Sequence, residues 1–84
     1  MQTPSYRKVY IDVYTLMRKD GTVLPGFFIW EDGEKHTIDR VLHITPAASL
    51  KAGGRGIRYT AQISGRERYL FREDDRWFVE APIM

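Results

Sequence analysis

The sequence predicts an all-β domain, which we expect to be a small antiparallel barrel or tight sandwich of about six strands with an SH3-like arrangement. Short segments of alternating apolar and polar residues recur along the chain, and turn signals rich in Gly and Asp separate them. No long segment has convincing helical spacing. A small sheet avoids exposed edges by curling on itself, and we therefore treat residues 1–84 as one β-barrel domain.

The composition sets the class of protein to be expected. Aromatic residues make up 13% of the 84 residues, and such large side chains allow a short chain to bury a sufficient core. Cysteine is absent, which excludes disulfides and thiolate metal sites. Residues 1–5 lack the pattern of a signal peptide, and no apolar run has the length of a membrane span. We expect a cytoplasmic protein that does not bind membranes.

The first strand is predicted over residues 6–17, where apolar residues recur at every second position. Its inward face is expected to carry three β-branched residues, Val9, Ile11 and Val13. Tyr10 and Tyr14 share the opposite face. The Asp20-Gly21 pair that follows is a hairpin signal.

The second strand is predicted over residues 22–30 and contains Pro25 and Gly26. Proline inside a strand indicates an edge or a bulge, and the glycine after it favours a bend. Residues 27–30 are four consecutive large apolar residues. They predict burial on both faces, or one face that a partner covers. Another hairpin signal follows at residues 32–33.

The third strand is predicted over residues 35–45, with a kink or bulge near Asp39 and Arg40 because the apolar alternation changes parity there. A short helix is the alternative, since three apolar residues also fit helical spacing: Ile38, Val41 and Leu42. The many β-branched residues favour a strand. Pro46 ends it.

The next segment, residues 46–56, is rich in Ala and Gly and is expected to be a long loop, with one helical turn over residues 47–52. It either links two halves of the domain or has a functional role. Residues 51–56 combine Lys, Arg and Gly in a way that could wrap an anion, but they lack the spacing of a phosphate loop.

The last part of the chain is predicted to be a meander of three strands, at residues 57–63, 68–72 and 77–79. Ser64-Gly65 and Asp74-Asp75 form the turns between them.

The chain shows no catalytic or metal-binding pattern. The two histidines, His36 and His43, lack the spacing of zinc ligands, and no Ser occupies a recognisable nucleophile position. The adjacent carboxylates Asp74 and Asp75 are explained by turn chemistry. We predict that the protein is not an enzyme and holds no metal or cofactor.

The basic residues suggest one binding surface. The net charge is +2, and the whole excess lies after residue 50, where arginines alternate with aromatic residues. Small β-barrels that bind nucleic acid offer aromatic faces to bases and cations to phosphates. Six residues form the candidate nucleic-acid-binding set: Lys51, Arg55, Arg58, Arg66, Arg68 and Arg72. In the alternative interpretation the aromatic residues are core and the arginines only solvate the outer face.

The sequence also carries a resemblance. An Arg-Tyr strand at residues 58–63, a Gly turn, a Tyr-Leu-Phe strand at 65–71 and a Trp strand at 76–79 resemble small uncharacterised bacterial all-β domains. The same succession is similar to the C-terminal tail of bacterial translesion polymerase-like mutagenesis proteins. Residues 25–42 share the likeness to the uncharacterised domains. The resemblance implies a fold and a DNA-repair setting, and no catalytic residue of such families maps onto this chain.

These observations predict a non-catalytic binding module that contacts nucleic acid through its arginine-rich face. The alternative is a protein-interaction or self-association module, including a weak homodimer. It would use residues 27–30 or an exposed patch that contains Tyr10 and Tyr14.

Overall fold

The computed structural model describes residues 6–46 and 56–82, which form seven antiparallel strands in one curled sheet. The strands are β1 (Tyr6–Met17), β2 (Val23–Ile29), β3 (Lys35–Thr37), β4 (Arg40–Pro46), β5 (Ile57–Ile63), β6 (Arg66–Glu73) and β7 (Arg76–Pro82). Their order across the sheet is β3-β2-β1-β7-β6-β5-β4. The predicted all-β class is confirmed. The described residues contain seven strands rather than about six because the third predicted strand is divided in two.

The long strand β1 belongs to two parts of the sheet. Residues 6–11 pair with β7, and residues 12–17 pair with β2. A strand that changes neighbours in this way makes a corner, which lets a small sheet curl. Val9 and Ile11 are buried on its inner side and Val13 packs against the same core, as the alternation predicted.

Pro25 indicated either an edge or a bulge in the second strand, and the structure has a bulge. The register between β1 and β2 shifts by one residue, so that Tyr14 lies opposite Phe27 whereas Thr15 lies opposite Pro25. Gly26 is the extra residue. A Cβ atom at this position would lie 3.3 Å from the carbonyl oxygen of Tyr14, and glycine therefore allows the two backbones to approach.

A two-residue connection joins the opposite margins of the sheet. β3 and β4 stand at the two ends of the strand order, yet only Ile38 and Asp39 separate them in the sequence. The Ile38 N–H donates to the carbonyl of Gly26 on β2 at 2.9 Å, and the Asp39 N–H donates to the carbonyl of Gln62 on β5 at 2.7 Å. The predicted kink is confirmed beside Asp39, and the helical alternative is wrong because these amides bond to two strands.

The core lies on the inner side of the curl. It is built from ten buried residues contributed by six segments: Val9, Ile11, Val23, Phe28, Ile38, Tyr59, Ala61, Ile63, Leu70 and Trp77. Tyr59 is 2% exposed, and its hydroxyl donates to the carbonyl of Val23 at 2.9 Å. This bond connects β5 to β2 across the interior, so that the two distant parts of the sheet hold each other in place.

The two turns of the predicted meander are also confirmed. Ser64 and Gly65 have φ values of 52° and 77°, the pair of positive angles that a tight primed hairpin turn requires. Asp74 has a φ of 54°, which a short polar side chain tolerates. The helical turn predicted over residues 47–52 lies outside the described residues.

Candidate functional site

Three of the predicted nucleic-acid contacts lie together on β6. They alternate along the strand as Arg66, Arg68 and Arg72. They share a face with Leu70, which is 1% exposed, and this face is the inner side of the sheet. The first two of these arginines remain exposed because β6 pairs with β7 only from Phe71 to Glu73. Two other predicted contacts, Lys51 and Arg55, lie outside the described residues.

Arg58 lies on the other face of the sheet. It stands opposite Phe71 on the neighbouring strand, which places both side chains on the outer side. The guanidinium carbon of Arg58 is 4.6 Å from the centre of the Tyr69 ring. The four described members of the predicted set are therefore divided, three on the inner face and one on the outer face.

The outer face carries an aromatic cluster of its own. Phe71 and Phe78 stack with ring centroids 5.2 Å apart, and Tyr10 meets Phe78 edge-on at 5.7 Å. The two phenylalanines are 6% and 2% exposed, although they do not belong to the inner core. Tyr10 and Tyr69, which lie at the rim of this cluster, are 44% and 51% exposed.

Long cationic side chains cover these rings. The Lys8 Nζ atom lies 4.5 Å from the ring centre of Phe78, and the guanidinium carbon of Arg76 lies 3.8 Å from that of Tyr10. Cations over ring faces contribute about 0.5–1 kcal/mol each at exposed sites. The aliphatic stems of such side chains also shield apolar surface, which explains how outward-facing phenylalanines can be buried.

Glu73 neutralises part of this charge. Lys8 Nζ donates to one of its carboxylate oxygens at 3.0 Å, and the Tyr10 hydroxyl donates to the other at 3.2 Å. The hydrogen bond from Lys8 holds the pKa of Glu73 below its ordinary value, and the same bond raises the pKa of Lys8. At least one cation of the outer face, Lys8, is therefore paired with a carboxylate of the same molecule.

A different feature lies at the far end of β1, where one edge of the strand is open. Pairing with β7 ends at Ile11, and no described strand occupies that side of residues 12–17. The Arg18 N–H donates to the carbonyl of Thr22, on the side of β2. Backbone groups in an antiparallel strand alternate between its two sides. Three residues therefore direct their N–H and C=O groups to the open side: Val13, Thr15 and Met17.

The same alternation explains how Pro25 fits inside β2. Pro25 lies opposite Thr15, whose backbone groups point away from β2. Proline has no N–H to donate, and at this position none is required. The position of the proline thus agrees with the directions assigned to the backbone groups of β1.

Exposed apolar side chains surround the open edge. Tyr14 and Leu16 are each 61% exposed, and Met17 is 69% exposed. Tyr14 stacks on Phe27 with ring centroids 4.3 Å apart, and the Lys35 Nζ atom lies 4.3 Å from the centre of the Phe27 ring. Unpaired backbone groups beside an exposed apolar surface are the features by which a sheet edge accepts another strand.

An open groove of about 850 Å³ begins where β1 and β7 separate. Its walls are residues 10–15 of β1, Ile29 of β2, and residues 75–77, which are the start of β7 and the turn before it. The charged groups at the groove are Asp12, Asp75 and Arg76, and the last of these rests on Tyr10. The groove therefore has a formal charge of −1 and continues the line of the open edge.

The sequence pointed to only part of this site. Tyr10 and Tyr14 were predicted to form an exposed patch, and both are exposed. No sequence motif marks Thr15, Leu16 or Met17. One signal was available, because residues 14–17 carry no charge on either face of the strand, whereas a strand end at a solvent-exposed edge usually has one.

The described residues carry no group of three or more His, Cys, Asp and Glu side chains that could hold a metal ion. His36 stacks on Phe28 at 5.0 Å, and His43 is exposed on β4. Within the same residues, no helix has the length and apolar character needed to cross a bilayer.

Comparison of the chain with protein-family models, curated proteins and solved structures found no match. The fold and surfaces of the described residues define the class to which the molecule can be assigned: a small, curled, all-β domain with an unpaired edge along the end of β1 and an aromatic face covered by cations. The resemblance to bacterial all-β domains and to the tail of mutagenesis proteins stays a prediction.

Proposed function

We propose that this protein is a non-catalytic binding module that takes up an extended segment of a partner protein along the open edge of β1. One observation carries the proposal. Val13, Thr15 and Met17 direct their backbone groups to a side of β1 that no described strand occupies, and the side chains around them are apolar and exposed. The cysteine-free composition supports a cytoplasmic setting for such a module.

Strand addition accounts for the chemistry of this edge. Main-chain hydrogen bonds to three alternate residues supply affinity that does not depend on the sequence of the guest strand. Specificity comes from the side chains on either face of the new strand. Tyr14 and Leu16 offer an apolar outer surface, and the groove with Asp12 and Asp75 favours a guest segment that ends in a basic residue.

A synthetic peptide tests the proposal. The probe alternates valine and threonine and has an arginine at each end, so that it can form a strand with basic termini. We expect its addition to slow the amide hydrogen exchange of Val13, Thr15 and Met17, because these amides gain acceptors. The exchange of Leu16 and Arg18 should change little, since the Arg18 amide already donates to Thr22 and alternation directs the Leu16 amide to β2 as well. Nuclear magnetic resonance resolves the individual amides.

Two variants of Thr15 make the matched controls. Thr15→Pro removes an outward N–H without removing a bond to β2, and it should abolish protection by the peptide. Thr15→Val keeps the N–H and should leave the response intact. If the proline variant binds the peptide as well as the valine variant, or if protection appears elsewhere on the sheet, the open edge is not the binding site.

Binding of single-stranded nucleic acid to the outer face is a second candidate function. The observation that favours it is a repeated arrangement, in which Arg58 covers Tyr69 and Arg76 covers Tyr10. A half-exposed ring with a cation beside it can stack a base and contact a phosphate. A titration with short single-stranded DNA at low and moderate salt tests this, because phosphate contacts weaken steeply with salt.

The two faces of the sheet can be distinguished in that titration. Arg58→Gln alters the outer face and should weaken binding, whereas Arg66→Gln alters the inner face and should leave it unchanged. The reverse pattern would assign nucleic acid to the arginines of β6. Absence of binding at low salt would exclude this second candidate.

A further inference from the structure

We propose that the segment taken up by the open edge is the same edge of a second copy of this chain. This inference rests on the proposed function, because it names the partner of that site. The two β1 strands would run antiparallel about a two-fold axis at Thr15. The argument comes from the backbone directions, the side chains and the charges of residues 12–18.

The backbone directions favour one register. With Thr15 on the axis, Val13 of one copy faces Met17 of the other, and Thr15 faces Thr15. All three outward-directed residues of each copy are then paired with outward-directed residues. A register centred on Tyr14 would place Met17 opposite Ile11, which already pairs with Trp77. A register centred on Leu16 would carry the pairing beyond Met17, into the turn after β1.

The side chains are complementary in the register centred on Thr15. Tyr14 of each copy lies opposite Leu16 of the other, on the outer face, and both residues are 61% exposed in the single chain. An aromatic residue opposite an aliphatic one is a favourable cross-strand pair. Stacking on Phe27 holds the Tyr14 ring in place, so little side-chain freedom is lost on association.

The charges agree with the same register. Asp12 of each copy lies opposite Arg18 of the other, and the two-fold axis makes this opposite-charge pair occur twice. Within one chain, these two residues are six positions apart along an extended strand, which is a distance of about 20 Å. Neither charge therefore neutralises the other in the single chain. The separation of β1 from β7 at the groove leaves room for the arginine end of the second strand beside Asp75.

The proposed interface is short, since only residues 12–18 of each strand form it. Interfaces of this size are weak and transient, and the dimer is expected to dissociate on dilution. Sedimentation equilibrium of the whole chain at concentrations up to about 1 mM covers the range in which a dimer of this weakness forms.

Charge exchange tests the register. Asp12→Arg and Arg18→Asp each place like charges opposite one another twice per dimer, and each should weaken self-association roughly tenfold. An equimolar mixture of the two variants should associate as tightly as the unaltered chain, because every opposed pair is again of opposite charge. The double variant should recover in the same way. Arg66→Asp makes the same charge change as Arg18→Asp but lies far from the end of β1. It is the matched control and should not alter association.

The outcomes separate the two proposals. A chain that stays monomeric at about 1 mM, while the valine–threonine peptide still protects Val13, Thr15 and Met17, would overturn the second copy as partner and leave strand addition standing. A dimer whose affinity is the same in the charge variants as in the unaltered chain would overturn the register and with it this inference. Dimerisation with recovery in the mixture is the result that the inference requires.

Discussion

The hydroxyl of Tyr59 offers a sharp test of how the curled sheet is held together. It donates to the carbonyl of Val23 at 2.9 Å inside the core, and Tyr59 is 2% exposed. Tyr59→Phe removes this one donor. The ring, which lies 4.8 Å from the ring of Trp77, keeps its place, so the variant measures the bond rather than the packing.

The expected loss of stability follows from the burial. Water does not replace the lost donor, and the Val23 carbonyl is left without it in the interior. Such a change costs about 1–3 kcal/mol. The whole domain is expected to have about 4–12 kcal/mol of stability on per-residue averages. For a chain of this size, each kcal/mol lowers the melting temperature by roughly 4–8 °C.

Urea unfolding followed by tryptophan fluorescence measures the loss. The matched control is Tyr69→Phe, which removes the same atom from a side chain that is 51% exposed and should change stability by no more than about 0.5 kcal/mol. Equal effects of the two variants would contradict the argument that a bond across the interior holds β5 and β2 together.

Three further predictions concern stability. Leu70→Ala removes a side chain that is 1% exposed in the core and should cost about 2–5 kcal/mol in the same unfolding assay, a large part of the stability of the domain. Gly26→Ala places a Cβ atom 3.3 Å from the Tyr14 carbonyl, and it should lower the melting temperature because backbone atoms there cannot easily move. Because the pKa of Glu73 is lowered, its ionised carboxylate stabilises the folded protein fully at pH values above the ordinary glutamate pKa. This stabilisation is lost as the pH falls through the lowered pKa. Glu73→Gln, which removes the negative charge that faces Lys8, should therefore destabilise the protein at neutral pH and match the unaltered chain in acid.

Much of the fold could be predicted because the local patterns are strong. The alternation in residues 6–17 and 57–63 gives the bounds that β1 and β5 have in the structure. The kink beside Asp39 was visible as a change of parity. The order of the strands was not predicted, since alternation defines the faces of a strand but not its neighbours. The pairing of β1 with β7 joins the first and last described strands, and no local pattern specifies it.

The site was harder to predict for a related reason. Arg66, Arg68 and Arg72 occupy alternate positions and therefore share a face of the strand, but only the burial of Leu70 shows that this face is the inner one. Arg58 is separated from them by the register between β5 and β6. The open edge depends on where β7 begins relative to β1, which is a feature of the tertiary structure. The only local sign of it is the absence of charge in residues 14–17.

Amide hydrogen exchange in dilute solution tests the central claim directly, with no partner required. The account predicts that Val13, Thr15 and Met17 exchange rapidly, while Leu16 and Arg18 between and beyond them are protected by bonds to the β2 side. Slow exchange at Thr15 in the dilute monomer would mean that the edge is already occupied, and the proposed binding site would not exist.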